Sequence, residues 1–487
     1  MNRHTDVGIW YCPYYFTSPY DLWEMPYGTG KKVEYRPLCS DVPGDFRKYD
    51  ADDPDVIDFH LRQLAEAKID FLLFELSPAG LGSHKMEENN WSNISVKNAR
   101  EVCKRIKAWN DNRQNGWKIR YALCGGCHSG TWGLAPGLVM EDIARDVFES
   151  FFENPEYGGA DSYYHKDGKP LLVFWGYPDS VSNHWANYGG DKSYGSRFAL
   201  RTAAWCQAGE YGWNISPTGP VIHGEVEVVS PGWGHYLRDD PPYVGRRSGA
   251  FYKNCWEKLL RHPLPEIVMI ASFNDYWENT AVWTSDTENL TDADKWRDQN
   301  GEPNPSMYWD MTKHYIEKLR GGAAGYGMKF EELNLMAPGS GSRVLHLLTP
   351  HGAKEGAKFT ADFTVTDVVV SCPKAHEASD MTFYLYRWDT DYDTTVASKP
   401  VWVDSETGAG YPGNGSFPFE LAFELGGGAP AGTYLWLLEG AKGSPGFWAE
   451  SGAKPGGDPG VVFFRDGQIM DEYIPSRVCG YSGGTGG

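Results

Sequence analysis

Residues Pro54–Leu76 read PDVIDFHLRQLAEAKIDFLLFEL. Val56, Ile57, Leu61, Leu64 and Ala65 recur at the spacing of one helical face, which predicts a helix over Pro54–Lys68. Asp52 or Asp53 is placed to cap it, with Pro54 at the first helical position, where its missing N–H costs nothing. The next eight residues, Ile69–Leu76, are almost continuously apolar. A strand of that kind belongs in a parallel sheet covered by helices on its faces. Helix followed at once by buried strand is therefore the repeating unit to look for on either side.

The unit recurs. Strands are expected at Val7–Tyr15, Lys118–Cys124, Pro170–Trp175, Phe198–Ala204, Glu225–Val229 and Glu266–Phe273. Helices are expected at Ser95–Trp109, Glu141–Glu153, Phe251–Arg261 and Tyr308–Leu319. Alternation of this kind means an α/β fold. No glycine-rich dinucleotide fingerprint follows the first strand, and the strand count favours a (β/α)8 TIM-type barrel over a doubly wound sheet. The eighth strand is not evident. After Gly321 the texture changes to short alternating segments split by Gly, Pro, Ser and Asp: Val344–Leu348, Phe359–Val368, Met381–Trp388, Phe417–Glu424, Thr433–Leu438 and Gly460–Phe464. These predict a C-terminal all-β sandwich. The expected division is a barrel over 1–322, a linker over 323–343, a sandwich over 344–480 and a disordered tail over 481–487. Tyr384, Tyr386, Trp388, Trp402, Tyr434 and Trp436 are either the sandwich core or a platform for sugar rings.

Composition narrows the partners. A net charge of −20 repels phosphate backbones and anionic lipid, so nucleic acid and membrane surfaces are poor partners. No apolar run approaches the roughly 20 residues that span a bilayer. The first residues lack the apolar core of a secretion signal, which points to the cytoplasm, or to the periplasm or exterior if a leader has been removed. Nine cysteines, odd in number and scattered, do not read as a disulfide framework. Aromatic residues make up 15% of the chain, with 20 Trp and 29 Tyr, side chains whose flat faces and polar tips suit sugar rings.

In a barrel the chemistry lies at the C-terminal ends of the strands. That rule gives Tyr11 and Tyr14 after the first strand, Glu75 at the end of the second, His128 and Trp132 after the third, and Trp175 after the fourth. Arg201 comes from the fifth strand, and Glu225, Glu227, Trp233 and His235 from the sixth. After the seventh come Asn274, Asp275, Trp277 and Glu278. The seventh is the strongest signal: an apolar strand runs straight into two acids flanked by Asn, Tyr and Trp. Glycosidic cleavage needs two carboxyl groups at one bond, one to protonate the leaving oxygen and one to act as base or nucleophile. Glu278, beside Trp277, suits the acid, since a desolvated carboxyl keeps its proton longer. Asp275 suits the base.

Four motifs together resemble glycoside hydrolase family 99, the endo-α-mannosidases, and their WbsX-like relatives, some of them bacterial. IVMIASFNDYWENTA is similar to the family's S-x-N-E-W-x-E-G-T segment, WYCPYY to its Y-Y-P-W-Y strand, DFHLRQLAEAKIDFLLFEL to its H-x-x-x-A-x-x-A-G-I-D-x-F unit, and YYHKDGKPLLVFWG to its Y-x-x-x-D-G-K-P strand. The likeness spans most of 7–283 and stops before the C-terminal region. It implies that Asp275 assists attack by the sugar's own 2-hydroxyl and that Glu278 is general acid/base. Asp275 stands where the family has Glu, one methylene longer; Trp277 replaces a His and Asn279 a Gly. Mannose specificity is not carried over.

The resulting expectation is a retaining or neighbouring-group-assisted glycoside hydrolase acting on a polysaccharide or oligosaccharide, with no cofactor. Cys124, Cys127 and His128 form a CxxCH pattern, but no second CxxC follows at zinc-site spacing, so no metal is expected. The rivals are a catalytically silent carbohydrate-binding protein, kept open by the shorter Asp275, and a polysaccharide lyase using His or Tyr as base.

Overall fold

The computed structural model describes residues 5–25, 33–77, 81–82, 90–112, 116–126, 136–176, 185–204, 209–213, 220, 224–234, 244–290, 294–298, 300–321, 329–336, 342–348, 352–372, 380–407, 419–442, 446–451 and 460–482. The N-terminal part is built on seven parallel strands: β1 Asp6–Tyr11, β2 Phe71–Leu76, β3 Arg120–Gly126, β4 Lys169–Trp175, β5 Ala199–Ala203, β6 Val226–Val229 and β7 Ile267–Ile270. The helices that cover them include α1 Pro54–Glu66, α2 Trp91–Asp111, α3 Pro136–Val147, α4 Ala250–Arg261 and α5 Met307–Arg320.

Local chemistry explains the first unit. The Asp53 carboxylate accepts the Asp55 N–H and Pro54 starts α1, whose Val56, Ile57, Phe59, His60, Leu61 and Leu64 are buried. Lys68 takes a left-handed conformation (φ 59°) to turn the chain from helix into strand. All six residues of β2 are buried, as expected of a strand covered on both faces. Gly8 of β1 stands opposite Phe71 on one side and Met269 on the other; a Cβ there would meet the Phe71 ring at 2.4 Å and the Met269 sulfur at 2.5 Å.

The strand order is β5-β4-β3-β2-β1-β7-β6, so the first strand pairs with the last and the sheet curls. This is coarser than the closed eight-stranded ring expected from the strand count. Among the described residues no eighth parallel strand appears; the sheet's eighth member is the two-residue strand His165–Lys166, antiparallel to β4, and no ladder joins β5 to β6. An Arg201–Glu225 ion pair bridges that junction instead.

Two larger antiparallel sheets follow, besides a two-stranded one of Ser342–Leu347 and Gly446–Ser451. One orders Lys329–Met336, Ser476–Ser482, Thr364–Cys372 and Phe419–Ala429; the other orders Trp402–Thr407, Asp380–Arg387, Gly432–Lys442, Glu355–Ala361, Val462–Arg465 and Gln468–Ile469. Phe383 of the second stacks on Phe423 of the first, ring centres 4.7 Å apart. Phe359–Val368, expected as one strand, is broken at Asp362–Phe363, where the chain passes from Glu355–Ala361 in one sheet to Thr364–Cys372 in the other. A strand, Lys329–Met336, lies within the stretch expected as linker.

The expected aromatic platform divides between two faces. Tyr434 and Trp436 are buried on one face, and Tyr384, Tyr386 and Trp388 alternate onto the other, where Tyr386 is also buried. There the Lys354 and Lys358 ammonium groups sit 4.3 and 4.4 Å from the ring centres of Tyr384 and Trp388.

His346 joins three parts of this region. Its Nδ1 lies 2.7 Å from Glu355 and its Nε2 2.8 Å from Glu472, while Arg465 faces the other Glu355 oxygen at 3.3 Å. Both ring nitrogens must donate, so the ring is held as imidazolium; the Glu355 hydrogen bond pushes its pKa up, burial opposes it, and the two carboxylate charges add to the rise. A raised folded-state pKa contributes stability that is complete below the ordinary histidine value, about 6.5, and is lost as pH rises through the folded value. The thermal midpoint of the wild type should therefore fall across that range, and His346→Gln should flatten the fall. Equal pH slopes for the two proteins would remove this role.

Candidate active site

Three carboxyl groups, Glu75, Asp275 and Glu278, meet at the C-terminal ends of the parallel strands. Glu75 is the penultimate residue of β2; the other two lie on the loop leaving β7. Cys12, just past β1, lies among all three: burial first, then the charges of Asp275, Glu75 and Glu278, push its thiol far up, so it stays protonated.

The β7 loop is fastened at many points. Ser272 Oγ accepts the Asp275 N–H at 2.8 Å and pairs with Thr280 Oγ1 at 2.9 Å. The Thr280 and Ala281 N–H groups both donate to the Asp275 carbonyl. Asn279 adopts φ 53°, and its amide donates to Asp294 at 2.9 Å. Buried Arg246 clasps the far side, donating to the Asn279 side chain and to the carbonyls of Asn279 and Ala281, with its guanidinium over the rings of Trp296 and Tyr308. Such a loop holds its acids in place before any ligand arrives.

Within it the two acids differ. Asp275 is 3% exposed, and its Oδ1 accepts the Glu278 N–H at 3.1 Å. Burial raises its pKa to about 6, against hydrogen bonds from the Glu278 and Trp277 backbones and from Tyr14. Glu278 keeps part of its surface open. Its pKa rises to about 8 through desolvation and the Asp275 charge, eased by the Trp233 indole, 3.1 Å from Oε2, and by Trp213. Burial lifts Glu75 to about 7, with Ser77 hydrogen bonds opposing and Asp275 adding. A carboxylate poised beside a protonated carboxyl is the arrangement that acid–base chemistry at neutral pH requires.

Aromatic rings wall the cluster. Tyr14 stacks on Trp277 (5.2 Å, 15°), with Trp91 edge-on to both. Trp10, Trp175 and Trp213 pack edge to face, Trp10 and Trp213 at 4.6 Å.

Other expected site residues lie elsewhere. Arg201 and Glu225 belong to the opposite rim: Glu225 precedes β6, and Arg201 pairs with it and with Asp167, which precedes β4. Lys166 extends that network to Asp167 and Glu266. Tyr11 turns into the core, 2.8 Å from His60 Nδ1; burial holds the His60 ring neutral, its pKa lowered to about 3. Asn274 commits its amide to the Cys12 backbone and the Tyr49 hydroxyl and is fully buried. Glu227 is buried within β6. His128, Trp132 and His235, with Cys127, lie outside the described residues. Sequence reading missed Cys12 and Trp213. Cys12 follows β1 as Tyr14 does and was open to the same rule, whereas Trp213 sits in a stretch without periodicity.

No family model matches the chain, and no curated protein matches it. Among solved structures, a GH138 enzyme targeting pectin rhamnogalacturonan II is similar at 10% identity and a TM-score of 0.30, over 66% of this chain and 39% of that one. The chain thus spans about two fifths of that enzyme's length. A mutant VP2 protein of infectious bursal disease virus is similar at 13% identity and a TM-score of 0.16, over 32% of each chain. At such TM-scores neither likeness carries an argument about fold or function, and the site's own geometry is what remains to reason from.

Proposed function

We propose that the protein is a glycoside hydrolase acting on a neutral or weakly charged glycan. The observation that supports this is the pairing of Asp275 and Glu278 on one fastened loop among aromatic rings, with pKa values raised to about 6 and about 8. Between those values Asp275 is ionised while Glu278 keeps its proton. Glu278 then serves as general acid to the leaving oxygen, and Asp275 assists attack at the sugar carbon. The resemblance to family 99 suggests that the attacking group is the sugar's own 2-hydroxyl. Glu75 is a third acid for sugar hydroxyls, and Tyr14, Trp175 and Trp277 are stacking surfaces. Strand order makes an α/β barrel the natural frame for this chemistry.

kcat/KM should be bell-shaped. It should fall below about pH 6 as Asp275 takes up a proton, and above about pH 8 as Glu278 loses one, the two limbs belonging to the pair. The deciding experiment is a glycan panel read by reducing-end release. Binding without new reducing ends would convert the reading to a carbohydrate-binding protein. One observation favours that alternative: the Asp275 carboxylate is already engaged in capping its own turn. An ultraviolet-absorbing unsaturated product would instead indicate a lyase.

A further inference from the structure

Trp233 was expected to touch substrate; its indole and the residue after it hold the loop that carries the acids. Its indole N–H donates to Glu278 Oε2 at 3.1 Å, and the next residue, Gly234, donates its N–H to the Glu278 main-chain carbonyl at 3.1 Å. One dipeptide therefore holds both ends of Glu278. The dipeptide is itself fixed: the Trp233 N–H and C=O exchange bonds with Val244 at 2.9 and 3.0 Å, and Trp233 is 7% exposed. Two residues past Val244, Arg246 grips the carbonyls after Glu278. The other groups facing Glu278 are Asp275 on the same loop, Glu75 from β2 and the Cys12 thiol after β1. The Trp213 indole also approaches it without reaching good hydrogen-bond geometry.

An indole donates and cannot accept. The oxygen it holds acts as acceptor, and in a protonated carboxyl the carbonyl oxygen accepts more strongly than the hydroxyl oxygen, so the bond favours the proton on the other oxygen. We propose that Trp233 is a positioning residue: it fixes Oε2 of Glu278 as the acceptor, so that Oε1 carries the proton and delivers it to the leaving oxygen. This rests on the glycosidase reading above.

The test compares wild type, Trp233→Phe and Trp233→His by the pH dependence of kcat and KM, and by infrared titration of the protonated-carboxyl band that Glu278→Gln abolishes. The indole bond favours the ionised carboxylate, so removing it raises the pH at which Glu278 ionises. In Trp233→Phe, kcat should fall roughly tenfold or more, the worth of one hydrogen bond to a charged group, with KM little changed. The alkaline limb and the infrared titration should both move up by about one pH unit. Trp233→His, which keeps a ring N–H, should recover part of both. A raised KM with an unmoved limb would make Trp233 a sugar-stacking residue. A lower kcat with limb and infrared titration unmoved would make it scaffold only. Either result overturns the proposal. The infrared reading needs no turnover. A wild type that cleaves no glycan, with the band still shifting in Trp233→Phe, would remove the glycosidase reading and the proton hand-off with it, while the Trp233–Glu278 bond is retained.

Discussion

Glu278→Gln is expected to keep glycan binding and to lose ~10²–10⁴-fold in turnover, the usual cost of removing a positioned proton donor. The substitution preserves the shape of the side chain and an oxygen for the Trp233 indole, so the loop should stay as it is. The deficit should shrink for a glycoside whose leaving group is already acidic, such as a nitrophenol, because protonation then contributes little. Asp275→Asn should behave differently. It impairs attack at the sugar carbon, so an acidic leaving group should not rescue it. It also retains an oxygen to accept the Glu278 N–H, so a collapsed loop is not the expected cause of the loss. Lengthening Asp275 to Glu tests whether the shorter acid is matched to this substrate. Near-normal turnover of Glu278→Gln on a poor leaving group would sink the assignment, and Glu75 would be the next acid to examine.

Asp367→Ala is expected to be the most destabilising single change away from the site. Asp367, on Thr364–Cys372, lies 2.9 Å from Lys258 near the end of α4, with His262 3.6 Å away and side-chain exposures of 0, 2 and 3%. Burial alone would push its carboxyl up, but Lys258 and then His262 bring it below its ordinary value. Thr366 donates to the same carboxylate at 2.9 Å. Removing the anion leaves the Lys258 charge buried without its neighbour, which costs roughly 3–5 kcal/mol. Chemical denaturation should show that loss, and Asp367→Asn should show most of it, since the charge and not the volume is what matters. Replacing both partners by apolar residues of similar size should be far less damaging than the sum of the single changes. A change within about 0.5 kcal/mol for Asp367→Ala, the range of ordinary surface substitutions, would refute a fastening role. This pair ties the C-terminal sheets to the helix leading into β7, so they stand or fall with the strand that carries the acids.

Some of this was legible in the sequence because the signal was local. IDFLLFEL is apolar apart from Asp70 and Glu75, a run that suits a strand covered on both faces; IVMI of β7 and LLVF within β4 are further versions of it. The acid pair was legible for a related reason: a strand's direction says which end Asp275 and Glu278 leave from. Strand ends were harder. Periodicity fixes a boundary only to within a few residues, and at Glu225 a single residue decides the matter. Standing just before β6 and not after it, Glu225 joins Arg201 in an ion network on the opposite rim. The strand Ser476–Ser482, SRVCGYS, has no clear alternation and went unread, yet it lies between Lys329–Met336 and Thr364–Cys372. Only the tertiary structure brings Glu75 beside an acid two hundred positions later, since that depends on β1 lying between β2 and β7. It alone turns Tyr11 toward His60 and Trp233 toward Glu278. The reason is that burial and backbone pairing between distant segments select which groups lose water and which meet. Those two choices set the raised carboxyls of Glu75, Asp275 and Glu278 that make this end of the sheet a candidate site.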